Sequence, residues 1–256
     1  MVAMSSGNHA QAVAQAARWL NLSATIVMPS NAPQIKRRNT EALGAAVVPY
    51  ERATQDREAI ARDIAATSGA TMVHPYDDWQ TMAGQATVGL ELASYAQDQN
   101  LDLVCVAAPC GGGGLIAGVG SALRFRFPGV QLVAVEPSGY NDHQLSLQQQ
   151  ARVRLGELPP TLCDALQAPT PGERTFEINR RLLTDAITVS DAQVLQAMRF
   201  ALLELKLVLE PGGAVALAAL MAGKLPAGDG ALGLVLSGGN LDTELLIQAL
   251  AMAPNP

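Results

Sequence analysis

Short apolar runs alternate with helical patterns along nearly the whole chain, and this alternation limits the fold more than any other feature. Strand-like runs occur at 1–4, 24–28, 45–48, 71–74, 103–108, 130–135, 186–189 and 231–236. The runs are predominantly apolar, interrupted only by Thr25, Thr71, His74, Gln131 and Thr188, and lack the in–out alternation of a half-exposed strand. Such strands belong to parallel sheets covered by helices on both faces. Between them, apolar residues recur at helical spacing, and Gly44 and Gly69 stand where helices should stop. Ser190-Asp191-Ala192-Gln193 matches a capping box and predicts a helix running to about Val208. Residues 137–175 carry Pro159, Pro160, Pro169 and Pro171 and read as a loop-rich excursion. A boundary near Pro75–Trp79 divides the chain into two α/β units, 1–77 and 78–256.

Composition narrows the function classes. Hydrophobic residues make up 49% of the 256 and aromatics only 4%, so the core must be built from Ala, Val and Leu. The net charge of −6 comes without any basic stripe, which argues against nucleic acid or an anionic membrane surface as partner. The longest apolar runs are strand-sized, too short for a membrane span. Three cysteines, Cys105, Cys110 and Cys163, lack CxxC spacing. A disulfide scaffold and a cysteine zinc site are both disfavoured, and a reducing cytoplasm is expected.

Three glycine-bearing polar turns follow apolar runs. Cys110-Gly-Gly-Gly-Gly-Leu115 lies between a strand and a helix. Its glycines leave backbone N–H groups unobstructed at a helix N-terminus, a cradle for phosphate. It has neither the GK[ST] of a Walker loop nor a proper GxGxxG fingerprint. Ser5-Ser6-Gly7-Asn8-His9 and Leu236-Ser237-Gly238-Gly239-Asn240 are similar turns. Alone, each could be an ordinary helix start. Together they mark the strand ends where open α/β sheets bind ligands.

Jointly, SSGNHAQ (5–11), HPYDD with AGQ (74–85), CGGGGLIAG (110–118), VEPSGYND (135–142), TVSDAQV (188–194), KLVLEPGGA (206–214) and LSGGN (236–240) resemble the fold-type II pyridoxal-phosphate enzymes. The threonine/serine dehydratase and serine racemase group is the most similar branch. The resemblance implies the tryptophan synthase β-like fold, with the remainder of a small domain at 1–77 and the large cofactor-binding domain at 78–256. It assigns the cofactor phosphate to Gly111, Gly112, Gly113, Gly114 and Leu115, the phenolic oxygen of pyridoxal phosphate to Asn8, and the ring nitrogen to Ser237. Ser6 would act as acid/base at Cα. Ser5 and Asn8 would hold the substrate carboxylate, with Glu58 a substrate-side acid or merely an exposed helix charge. Glu136, the Tyr140 carbonyl and Asp142 would bind Mg²⁺ or Ca²⁺, or the two acids are simply solvated. His143 would be a metal neighbour or exposed. Glu210-Pro211 would lie near the ring or form a proline helix start. His9 and His74 need only positional roles, and Cys110 would be a small packed residue.

The implied reaction removes water from a hydroxyamino acid and releases ammonia. L-Threonine would give 2-oxobutanoate and L-serine pyruvate. Alternatives are a serine racemase, a 3-hydroxyaspartate dehydratase, or a non-catalytic cofactor- or amino-acid-binding protein. A homo-oligomer, dimer or tetramer, is also implied, with the apolar helix at Phe200–Val208 as a candidate surface. One part of the pattern is missing. The family's cofactor-bonding lysine lies in an SFKxRG-type segment upstream of SSGNH, a turn that here begins at residue 5. Lys36 sits in a Lys-Arg-Arg cluster on a helix, Lys206 precedes LEPGG, and Lys224 follows a helix end. The resemblance therefore implies an N-terminally truncated member, inactive by itself.

Overall fold

The computed structural model describes residues 1–226 and 228–253. The chain forms two compact units: Met1–Pro75 with Asn240–Leu245, and Tyr76–Gly239 with the described residues from Leu246 onward. The return of 240–245 to the first unit was not anticipated by a division into 1–77 and 78–256.

The first unit holds β1 (Val2–Met4), α1 (Asn8–Trp19), β2 (Thr25–Pro29), α2 (Gln34–Ala42), β3 (Ala46–Tyr50), α3 (Arg57–Ser68) and β4 (Met72–Val73). Its four strands are all parallel, in the order β3-β2-β1-β4. Successive strand residues enter different cores. Ala3, Ile26 and Met28 pack with Val13 and Ala14 of α1. Val2, Met4 and Val27 pack with Ala61 of α3. Both faces are thus buried, which is why these strands read as predominantly apolar.

The second unit contains α4 (Trp79–Asp98), β5 (Leu103–Pro109), α5 (Gly114–Arg126), β6 (Gln131–Pro137), α6 (Asp142–Gln149), α7 (Glu173–Leu182), β7 (Asp185–Val189), α8 (Asp191–Phe200), α9 (Pro211–Met221) and β8 (Ala231–Leu234). The last helix, α10, spans Thr243–Leu250. The sheet order is β7-β6-β5-β8, again all parallel. Glycines let α4 and α5 approach closely: a Cβ on Gly89 would lie 2.5 Å from the Val119 carbonyl oxygen, and one on Gly118 2.4 Å from that of Met82.

In each sheet one inner strand, β1 or β5, separates the strands that follow it in sequence. The order reverses there, and the loop leaving such a strand is where doubly wound sheets bind ligands. Ser5-Ser6-Gly7 leaves β1, and Cys110–Gly113 leaves β5.

Two expectations are corrected. The excursion at 137–175 contains α6, a 3₁₀ turn at Asp164–Leu166 and the start of α7. Their buried faces are polar, with Asp142, His143 and Ser146 on α6 and Thr175 and Asn179 beside Phe176 on α7. No apolar period was there to be read. The helix from Asp191 also does not continue to Val208: a π-helical turn at Ala201–Leu205 follows α8, and Lys206 ends it in the left-handed conformation, φ 60°. The Ser190–Gln193 capping box forms as predicted.

Candidate active site

In the first unit, Ser5-Ser6-Gly7 connects β1 to α1. The Gly7 amide donates to Ser5 Oγ at 3.0 Å. Gly7 is the N-cap of α1, and no side chain caps it. A Cβ there would lie 2.2 Å from Lys36 Cδ and 2.7 Å from its Cβ and Cγ. Lys36 is thus no member of an exposed basic cluster. It is fully buried, its methylenes laid against the turn, while Arg37 and Arg38 are exposed. At the next position, Asn240 Nδ2 donates to Asn8 Oδ1 at 2.8 Å, which leaves the amide nitrogen as the donor edge of Asn8. His9 Nε2 donates to the Val73 carbonyl at 3.1 Å, and burial holds its pKa below the ordinary value. Glu58 stands in the first turn of α3, half-exposed, 4.0 Å from His74 Nε2 and 3.7 Å from Arg62. The His74 contact lowers its pKa.

In the second unit, the four glycines lead from β5 into α5. Gly113 is the N-cap with φ 94°, and no side chain caps the helix. An uncapped helix start presents amide hydrogens and the positive end of the helix dipole to an anion. The carbonyls of the loop are held from behind. Thr175 Oγ1 donates to Gly112 O at 2.6 Å, and Asn179 Nδ2 to Gly113 O at 3.2 Å. Added Cβ atoms on Gly112 and Gly114 would lie 2.4 Å and 2.8 Å from Tyr76, and one on Gly113 would lie 2.5 Å from His143 Nε2. The glycines are therefore demanded by packing behind the loop as well as by access to its amides. Leu115 is the second residue of α5. Sequence reasoning missed Tyr76, Thr175 and Asn179, although HPYDD pointed to this place: Asp77 accepts from the amides of Glu173, Arg174 and Thr175 and starts α7.

Ser237 follows β8 and is exposed. Its turn is pinned to the LEPGG segment, where the Glu210 amide donates to Gly238 O at 3.0 Å and a Gly213 Cβ would lie 2.5 Å from that oxygen. Pro211 opens α9, and Glu210 is buried.

Glu136, Asp142 and His143 form a buried cluster whose potential ligand atoms all lie within 4.8 Å of one another. Glu136 caps α6, its oxygens accepting from the amides of His143 at 2.8 Å and Gln144 at 3.0 Å. Neither oxygen of Asp142 has a hydrogen-bond partner among the described residues. Burial and mutual repulsion push Glu136 well above the usual carboxylate range, and burial raises Asp142. Two buried carboxylates, of which Asp142 has both oxygens unpartnered among the described residues, suit a hard divalent cation. His143 is fully buried, which removes the exposed alternative. Tyr140, also buried, precedes α6. Cys110 is buried and its thiol pushed far up, chiefly by burial, so it is inert packing.

A doubly wound fold with an uncapped glycine loop at a sheet's reversal point is an arrangement suited to an anionic or phosphorylated ligand. The chain belongs to the family of pyridoxal-phosphate dependent enzymes, which it matches over residues 1–238. It is 42% identical over 244 residues to an L-threo-3-hydroxyaspartate ammonia-lyase from Pseudomonas sp, covering 95% of this chain and 75% of that one. A solved threonine deaminase, from T.th., superposes with TM-score 0.86 at 40% identity, over 94% of this chain and 77% of that one. Maize serine racemase gives TM-score 0.88 at 33% identity, over 98% and 76%. The fold is that of the fold-type II enzymes, and the cofactor is pyridoxal phosphate. Among the described residues, no helix is long and apolar enough to cross a membrane.

Proposed function

We propose that the activity is an ammonia-lyase reaction on a small hydroxyamino acid, with L-threonine and L-serine as substrates. The observation that carries this is the tetraglycine cradle leaving the reversal strand of a sheet whose architectural likenesses include threonine deaminase. When bound, pyridoxal phosphate supplies the electron sink that lets the Cα proton depart. The chain's own residues supply the rest. The Gly111–Leu115 amides hold the phosphate. Asn8 donates through its amide nitrogen, the edge that its contact with Asn240 leaves as donor. Ser6 moves a proton at Cα, Ser5 and Asn8 hold the substrate carboxylate, and Glu58 serves the substrate side. Ser237 offers a neutral hydroxyl to the ring nitrogen. Glu136, the Tyr140 carbonyl and Asp142 hold Mg²⁺ or Ca²⁺. In this reading 1–77 is the small domain and 78–256 the large one.

L-threo-3-hydroxyaspartate is a second candidate substrate, favoured by the ammonia-lyase at 42% identity. A cytoplasmic location accords with three unpaired, buried cysteines. A homo-oligomer accords with the exposed Leu205, Leu207 and Val208, and light scattering checks it.

The 256-residue chain is proposed to be inactive by itself. Of its lysines, Lys206 and Lys224 are exposed, the latter bound to Thr188 O at 2.7 Å, and Lys36 is packed under Gly7. None stands in the family's lysine context, and without a positioned amine the principal base at Cα is absent. The test adds L-threonine, L-serine or L-threo-3-hydroxyaspartate to pure chain with pyridoxal phosphate. A saturable spectral change without release of 2-oxo acid is expected, and borohydride reduction should mark no single lysine. Turnover with an adduct on one lysine would refute the inactivity. Absence of any spectral response to all three would refute the substrate class.

A further inference from the structure

A row of buried polar groups runs from the acid pair to the glycine loop, hydrogen-bonded from His143 through Asn179 to Gly113 O. Asn179 Nδ2 on α7 donates to Gly113 O and also lies 3.2 Å from His143 Nε2. An amide nitrogen offers hydrogens and no lone pair, so Nε2 is the acceptor and the ring proton resides on Nδ1. That Nδ1 faces Asp142 Oδ2 at 3.5 Å and Glu136 Oε1 at 3.7 Å. Glu136, Asp142, His143 and Asn179 are each exposed by 1% or less. Both Asp142 oxygens, His143 Nδ1 and Asn179 Oδ1 lack hydrogen-bond partners among the described residues, and three of these four atoms lie at the end nearest the acids. The other end is tight. Gly113 is left-handed, and a Cβ on it would lie 2.5 Å from His143 Nε2 and 2.6 Å from Asn179 Nδ2. The imidazole cannot shift without disturbing either the amide that holds Gly113 O or the loop itself.

We propose that His143 and Asn179 are positioning residues that couple a divalent cation on Glu136 and Asp142 to phosphate binding by the glycine loop. This rests on the cofactor and cation assignments made above. A cation would complete the partnerless oxygens and fix the first turn of α6, which Glu136 caps. The ring, its Asn179 partner and the Gly113 carbonyl would then be ordered before phosphate arrives, so less freedom is lost on binding. The sign of the coupling is positive. By linkage, pyridoxal phosphate must tighten the cation by the same factor.

Equilibrium dialysis of the full chain tests this, with pyridoxal phosphate and Mg²⁺ as the probes and no activity needed. Saturating Mg²⁺ should lower the pyridoxal phosphate dissociation constant by about fivefold or more, the low end of ordinary coupling. Pyridoxal phosphate should lower the Mg²⁺ constant by the same factor. Asn179→Leu, which also removes a loop contact, should weaken pyridoxal phosphate but leave both ligands bound, and should bring the ratio to within about twofold of unity; Asn179→Ala serves if leucine is not accepted. Thr175→Val removes a loop contact outside the row of polar groups, so it should weaken pyridoxal phosphate equally with and without Mg²⁺ and leave the ratio intact. Equal affinities with and without Mg²⁺ in the unaltered protein, a full ratio in a folded Asn179 variant, or no Mg²⁺ binding at all would overturn the coupling alone. No pyridoxal phosphate binding under any condition would overturn the cofactor-site assignment and the coupling with it.

Discussion

Two residues of the Ser-Ser-Gly-Asn-His turn carry consequences that full exposure would have spared them. Gly7 has extended φ, 166°, a value open to any residue, so its identity is set by space and not by strain. Lys36 fills that space with its Cβ, Cγ and Cδ, the part of the side chain least able to retreat. Gly7→Ala should therefore cost about 1–3 kcal/mol, the usual penalty of overpacking, read as a lower urea midpoint with an unchanged m-value. His9 gives a pH dependence. Burial holds its native pKa below 6.5, so the unfolded chain takes up the proton first as pH falls. Stability from this group is present above 6.5 and is lost on acidification toward the lower native value. His9→Gln keeps a donor for the Val73 carbonyl without titrating. Its melting temperature should fall less than that of the unaltered protein between neutral pH and the native value, and parallel curves would speak against the assignment.

At the scale of elements, what could be read in advance depended on what each element buries. The strands were legible because both faces of both sheets are apolar, as Val2 and Ala3 entering opposite cores show. The tetraglycine was legible as a cradle, but the reason for its glycines was half seen, since Tyr76 and His143 come from distant parts of the chain. Helices α6 and α7 were hidden because they bury Asp142, His143, Thr175 and Asn179, which imitate a solvated surface in sequence. Lys36 was hidden for the same reason, beside two exposed arginines. The start of α2 was equally beyond local reading. Pro33 cannot cap it through its side chain, and Asp242 does so from 207 and 208 positions away, accepting from the amides of Ile35 at 2.9 Å and Gln34 at 3.1 Å. Asp242→Ala should destabilise the first unit by about 0.5–2 kcal/mol, with hydrogen exchange accelerated first in the α2 amides. Unchanged exchange there would contradict the capping role.

For the molecule as a whole, the central proposal is that the Gly111–Leu115 loop at the start of α5 is a phosphate site for pyridoxal phosphate. The most direct measurement compares pyridoxal phosphate with pyridoxal, which differ only in the phosphate, by equilibrium dialysis against the pure chain. Saturable binding of pyridoxal phosphate is predicted, at least about tenfold tighter than pyridoxal, which is ~1.4 kcal/mol. Gly113→Ala, strained at its positive φ and pressed on His143 and Asn179, should abolish that difference in a protein that still folds by circular dichroism. Equal affinity for the two compounds, or a preference for pyridoxal phosphate that survives Gly113→Ala, would contradict the account.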